Sequence, residues 1–259
     1  GHAGFAGIGG YACALAPVYL GLHPVPSALL GAVVSGLIAF LVGRPILRLK
    51  GYYLGVATLG FGILVAMVLN NETQITRGPD GIEVPDIGLR GWLVAHGAQM
   101  TNGQFWYGAS ALCLIAGAWI ALNIEGSATG RALRALHGSE TAAATVGVDV
   151  ARGKLTAFVI SALYASAAGS LIALMNRQIT PDVAGYMHSI EMVTMAVLGG
   201  AASVAGGILG ATILTLLPQA LTAFDRYEQM VLGLIMMLVM IFMRQGLWPS
   251  LVQCFKGRA

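Results

Sequence analysis

The stretch that decides the fold is the first, "GHAGFAGIGGYACALAPVYLGLHPVPSALLGAVVSGLIAFLVG", Gly1–Gly43. It contains no Asp, Glu, Lys or Arg and is about twice the roughly 20 apolar residues that one helix needs to cross a bilayer. "GLHPVPS" (Gly21–Ser27) has the Gly and Pro punctuation of a turn. The stretch therefore reads as two spanning helices, near Ala3–Leu20 and Pro26–Val42, with Pro26 tolerated in a first helical turn. The rest of the chain agrees. Mean hydropathy is +0.78, with 57% hydrophobic and 10% charged residues, where soluble domains carry about a quarter charged. A β-barrel would need alternating segments of about ten residues, and the apolar runs here are continuous.

Working outward, "RPILRLK" (Arg44–Lys50) is a short basic connection, and Gly51–Asn70, Phe105–Asn123 and Leu155–Met175 each fit one span. Met192–Phe224 is uncharged for 33 residues, too long for one span, and "GGAASVAGG" (Gly199–Gly207) interrupts it. A last span covers Tyr227–Met243, before a Trp-Pro boundary in "RQGLWPS" (Arg244–Ser250). The expected class is an all-α polytopic membrane protein of about eight spans, some broken or re-entrant, forming a single domain over 1–259. Residues 71–103 form its longest polar loop, with a strong turn at Gly78-Pro79-Asp80-Gly81. The chain opens at the edge of a span, so further helices are expected upstream of Gly1. Cys13, Cys113 and Cys254 show neither CxxC nor Cys/His metal spacing, which points away from disulfides and metal.

Charge orients the spans. With Arg44–Lys50, residues 130–154 and the C-terminus on one side, that side holds ten Lys or Arg and three acids, and the other four Arg and eight acids. Positive residues favour the cytoplasmic side, so residues 130–154 are expected inside and the 71–103 loop outside. The net charge of +3 reflects this topology and does not indicate nucleic-acid binding.

The inner loop, "GRALRALHGSETAAATVGVDVARGK" (Gly130–Lys154), concentrates six of the chain's 25 charges. It reads as two short helices. Arg131–His137 carries Leu133 and Leu136 on one face and Arg131 and Arg134 on another. Gly138 ends it, Ser139 is an N-cap, Glu140 suits the positive helix end and Gly147 is a natural C-terminal stop. Such helices are either a docking element for a partner or an ordinary juxtamembrane turn.

The E-x-A-A-x-x-x-G of "ETAAATVG" resembles the EAA loop of ABC importer permeases, in the longer form of branched-chain amino acid permeases of the LivM type. The resemblance extends to "GHAGFAGIGGY", "LRLKGYYLGVATLGFG" (Leu47–Gly62), "TRGPDGI" (Thr76–Ile82), "VLGGAASVAGGILGA" (Val197–Ala211) and "RQGLWP". In the Gly199–Gly207 break Ala201, Ala202 and Ser203 stand where the family usually has Gly-x-Gly. The resemblance implies a permease subunit in a bacterial inner membrane. Its partners would be a second, LivH-like permease, two cytoplasmic ATPase subunits holding ATP and Mg, and an extracytoplasmic binding protein. The chain has no Gly-x-x-x-x-Gly-Lys-Ser/Thr phosphate loop, and no cofactor or catalytic residue is expected in it.

Under that resemblance Glu140, Ala142, Ala143 and Gly147 are the expected ATPase-coupling residues, the alanines for close approach and Glu140 for a polar contact. Arg131 and Arg134 fit either the ATPase or anionic lipid headgroups at about 1 kcal/mol each. Gly51-x-x-x-Gly55 and Gly206-x-x-x-Gly210 fit close helix packing, and Gly199 and Gly200 a gate at the broken span. Thr58, His188, Glu191 and Thr194 are polar groups in spans and candidates for a translocation path. His188 and Glu191 share a helix face near its outer end, where an interfacial pair is the favoured reading over a path role. The expected cargo is a branched-chain or related apolar amino acid, with urea or short amides as the alternative. A channel or secondary carrier not driven by ATP is the remaining and weaker alternative: Asn-Pro-Ala does not occur, and only Glu191 and His188 come close to a mid-membrane relay, neither with an obvious relay partner in the sequence. No His-Glu-x-x-His or Gly-x-Gly-Asp points to an intramembrane protease.

Overall fold

The computed structural model describes residues 1–49, 51–89, 91, 100–201, 203–220, 237 and 246–249. Its helices pack as two compact units, Gly1–Ser189 and Ile190–Ala259. In the first unit α1 (His2–Leu20), α2 (Pro24–Ile46), α3 (Tyr52–Asn71), α5 (Asn102–Gly126) and α8 (Val150–Asn176) are each long and apolar enough to cross a membrane. Shorter elements join them: α4 (Thr73–Thr76), β1 (Ile82–Glu83), α6 (Ala128–Gly138), α7 (Glu140–Thr145) and β2 (Gln178–Ile179). In the second unit α9 (Tyr186–Gly199, which begins in the first) and α10 (Val204–Ala220) meet at a 120° bend. The described residues thus hold five spans, or six if the bent pair is one. The span expected at 227–243 lies outside them.

Helix ends follow local chemistry. α2 starts two residues earlier than Pro26, with Pro24 in its first turn and His23 Nδ1 accepting from the Val25 amide at 3.4 Å. It also runs on through Arg44, whose guanidinium lies 4.2 Å from the centre of the Phe40 ring. α5 opens on a capping box: Thr101 Oγ1 accepts from the Gln104 amide and Gln104 Oε1 from the Thr101 amide, satisfying two amides that a helix start leaves unpaired. Gly21 (φ 63°) closes α1 in the left-handed region, where only a residue without Cβ is unstrained.

α1 is the centre of the first unit. Of its membrane-length window 61% is buried inside the chain, against 6% for α5. It lies against α8, α2 and α3, and small residues set the distance. A Cβ on Gly169 of α8 would stand 1.9 Å from the Ala6 carbonyl oxygen, and one on Gly9 of α1 would stand 2.2 Å from that of Ser166. The Ser170 hydroxyl donates across this contact to the Gly9 carbonyl at 3.0 Å. Gly4 faces Gly62 of α3, and Gly31 of α2 faces Gly9 and Ala12. Lipid tails are as apolar as the helices, so burying apolar surface drives little association; backbone approach and interhelical hydrogen bonds do more. Phe5, Phe61 and Phe158 fill the space beside the contact, with ring centres 5.0 and 5.6 Å apart.

These pairings give direction. α1, α3 and α8 run one way, with Gly1 level with Thr58 and His2 level with Ser161, its Nε2 2.8 Å from the Ser161 hydroxyl. α2 runs back, placing Gly43 against Leu155 and Phe158. One end of the unit therefore carries Leu47, Leu49, Gly51 and the start of α8; it is called the basic end below. At the opposite end β1 pairs antiparallel with β2 (Ile82 with Ile179), and Arg177 forms an ion pair with Asp86. Tyr19 donates to the Gln74 carbonyl at 3.2 Å. The two-residue ladder was not evident in the sequence, because its paired residues Glu83 and Gln178 are 95 positions apart and neither strand is long enough to show alternation.

Gly169→Val, measured by thermal unfolding of the purified chain in detergent, is expected to destabilise by at least about 2 kcal/mol through overpacking. Gly55→Ala meets nothing within 4 Å and is expected to change stability by less than about 1 kcal/mol.

Candidate functional site

The charged loop is built at the basic end as the capping signals suggest. Ser127 caps α6, its Oγ accepting from the Gly130 amide at 3.2 Å and donating to the Ile124 carbonyl at 2.6 Å. The chain turns so sharply there that a Cβ on Gly130 would lie 2.3 Å from the Ile124 carbonyl oxygen. Leu136 is buried and sits on Gly153, where a Cβ would come within 2.4 Å of its methyl. Leu133, half-buried, borders the same spot. Arg131 and Arg134 turn to the end of α5: Arg131 donates to the Gly126 carbonyl at 3.1 Å, and Arg134 pairs with Glu125 at 3.3 Å. Cations at a helix C-terminus offset its partial negative charge.

Ser139 caps α7, accepting from the Ala142 amide at 3.2 Å. The loop after it closes with Val148 N–H donating to the Ala143 carbonyl at 3.0 Å and Gly147 at φ 86°. Asp149 then caps α8 through the Arg152 amide at 3.0 Å. The two alanines, read from sequence as equivalent, have separate roles. Ala143 is 2% exposed and faces the protein, while Ala142 is exposed. Thr141, Ala144, Thr145 and Gly147 are exposed with it, and Val146 reaches 75%. This uncharged, small-residue tip is the outward face of the loop. Glu140 turns away from the tip's apolar residues to Lys154 Nζ, 2.6 Å distant. Lys154 was not among the residues singled out from the sequence.

A cavity of about 510 Å³ opens beside this pair, lined by Leu47, Leu49, Gly51, Leu54, Glu140, Lys154, Phe158 and Ser161 among others. Leu47, Leu49 and Gly51 thus share one wall with Glu140 and Lys154. A smaller cavity of about 280 Å³ lies at the opposite end, where Asn70, Asp182 and Tyr186 line it with Ile63, Met67 and Pro79.

The path candidates are placed as follows. The Thr58 hydroxyl donates to the Gly55 carbonyl of its own helix at 2.9 Å. His188, Glu191 and Thr194 all lie on α9, His188 and Glu191 three residues apart on one face. Gly199 and Gly200 lie at the break, which spans 200–203, with Gly200 at φ 113°. Gly206 and Gly210 of α10 meet α9 at backbone distance: a Cβ on Gly210 would lie 2.0 Å from the Met195 carbonyl oxygen, and one on Gly199 1.7 Å from that of Gly206. Ser203 caps α10, accepting from the Gly206 amide at 3.1 Å.

The other glycine pair is placed differently: among the described residues, a Cβ on Gly51 or Gly55 meets nothing within 4 Å. α3 turns Gly62, Val65 and Leu69 toward α1 instead, and Gly51 precedes α3 at φ 54°. The packing glycines of α1, Gly4, Gly7, Gly9 and Gly10, were not among the residues read from the sequence as packing. Their signal was present: small residues at 3, 4, 6, 7, 9 and 10 recur at spacings that line a helix face.

A multi-pass helical membrane protein with a capped, two-helix polar loop seated on one of its spans is the class this geometry defines. The chain belongs to the family described as branched-chain amino acid transport system / permease component, whose profile matches residues 1–240. It is 34% identical to the high-affinity branched-chain amino acid transport system permease protein LivM of Salmonella typhimurium, over 96% of this chain and 63% of that protein. LivM of Escherichia coli K12 is 33% identical over the same shares, and LivH of that strain 28% identical over 79% of this chain and 66% of its own. The chain thus spans less than two thirds of the length of these LivM relatives. No solved structure matches it.

Ser139→Ala removes the cap of α7 and is expected to cost about 1 kcal/mol. Hydrogen exchange at residues 141–146 should accelerate by about fivefold, with α8 unchanged.

Proposed function

We propose that this chain is a membrane-spanning, non-enzymatic subunit of an ATP-driven importer for branched-chain amino acids. The observation that carries the proposal is the α6–α7 loop: a rigidly capped element whose inner face, Leu136 and Ala143, is seated on the protein while its small, uncharged tip, Ala142 to Gly147, is left exposed. Small residues permit close approach of a partner surface, and an exposed Val146 supplies an apolar anchor. The chain carries no phosphate loop, so energy enters through a partner, and the tip is the surface suited to a cytoplasmic ATPase. The family it belongs to, and the names of its LivM and LivH relatives, support the cargo and the pairing with a second permease.

The sidedness follows from charge. Leu47 and Leu49 of the basic connection share one end of the first unit with Glu140 and Lys154 of the loop, and ten of the 14 Lys and Arg fall to the side assigned to them. That end is cytoplasmic in this reading. The opposite end, where β1–β2 and the Arg177–Asp86 pair tie the connections together, faces an extracytoplasmic binding protein that delivers the amino acid. ATP and Mg belong to the two ATPase subunits. The protein is inserted in a bacterial inner membrane.

The test is reconstitution of the full-length permease with its partner permease, ATPases and binding protein in proteoliposomes. Leucine uptake is expected only with ATP and ATPase subunits present. The double variant Ala142→Glu, Val146→Asp is expected to weaken ATPase association about tenfold or more with the permease still folded. Uptake without any ATPase, or unaltered association of the double variant, overturns the proposal.

A further inference from the structure

The loop carries three ion pairs of different character. Arg134–Glu125 and Arg152–Asp149 are exposed, their side chains 57% and 46%, and 87% and 52% accessible, and each tidies a helix end. Glu140–Lys154 instead joins two elements, α7 and α8, at 2.6 Å; Glu140 is 45% accessible, much like the acids of the other pairs, and Lys154 only 21%. Exposed pairs contribute little, whereas shielding from water strengthens a pair.

Its location matters as much. Gly153, the neighbour of Lys154, is the seat of Leu136 from α6. Both short helices therefore converge on two adjacent residues, 153 and 154, in the first turns of α8. From there α8 is unbroken to Asn176 and carries Ser166, Gly169 and Ser170, its backbone-level contacts with α1. α7 has just six residues, too few to hold a fixed direction unaided.

Resting on the importer reading, we infer that Lys154 is the positioning residue of the coupling loop. Through Glu140 it fixes α7 on α8, so that displacement of the tip moves α8, and with it α1, as one body. Glu140 is therefore an internal strut, and contact with the ATPase falls to Ala142 and Val146. This replaces the sequence-based expectation that Glu140 itself reaches the partner.

The experiment uses the reconstituted full complex and reads leucine molecules imported per ATP hydrolysed, together with co-purification of the ATPase. Wild-type complex without ATP-dependent uptake would sink the importer reading itself, before any variant is compared. Given a working wild type, Lys154→Met is expected to lower the transport-to-ATP ratio about fivefold with the ATPase still bound. Lys154→Arg is expected to keep the ratio. The exchange Glu140→Lys with Lys154→Glu is expected to restore it to within about twofold, as a pairwise coupling requires. A wild-type ratio in Lys154→Met, or an exchange variant as uncoupled as Lys154→Met, overturns the inference. Should Lys154→Met fail to accumulate, the exchange variant decides alone.

Discussion

Everything in the first unit hangs on two helices meeting at backbone distance. Where α1 crosses α8 there is no room for a single added carbon at Gly9 or Gly169, and the Ser170 hydroxyl bridges to the Gly9 carbonyl. In a bilayer this is the available way to make one helix pairing better than another, because the surrounding lipid competes equally for apolar side chains. The contact makes α1 the buried axis, and α2 and α3 then close on its remaining faces through Gly31 and Gly62. α5, with 6% of its window buried, takes the periphery. It is tied to α8 by the Tyr164 hydroxyl donating to the Gly117 carbonyl at 2.9 Å.

The two ends of the bundle are finished differently. At the opposite end the connections bond to one another, through the short ladder and Arg177–Asp86, so that 71–89 and 176–185 form one cap. At the basic end the loop is held by helix caps at Ser127, Ser139 and Asp149 and by two seats on α8, Leu136 on Gly153 and Glu140 on Lys154. Caps set the shape of the loop from within. The seats set where it points. A loop so held is fixed to its span at both seats.

Much of this was legible in the chain. The continuous apolar runs named five of the helices to within a few residues, and Ser139, Glu140 and Gly147 marked the start and stop of α7 before any coordinates. The bend between α9 and α10 falls at 200–203, inside the glycine-rich stretch that had been singled out. The glycine pairs were less legible. Gly51-x-x-x-Gly55 and Gly206-x-x-x-Gly210 have the same spacing, yet the second meets a helix at backbone distance and the first meets nothing within 4 Å among the described residues. Spacing marks a smooth face but not what it faces.

What the sequence by itself determined is what short-range chemistry controls: spanning helices from apolar length, and helix ends from Ser, Asp and Gly at cap positions. Tertiary structure alone decided which glycines pack, which of two adjacent alanines turns inward and which partner Glu140 takes. The reason is physical. Caps act within three or four residues, whereas the bond from Ser170 to Gly9 joins positions 161 residues apart. Such pairings exist only once the helices have chosen their neighbours, and a helix's rotation about its own axis is set by those neighbours.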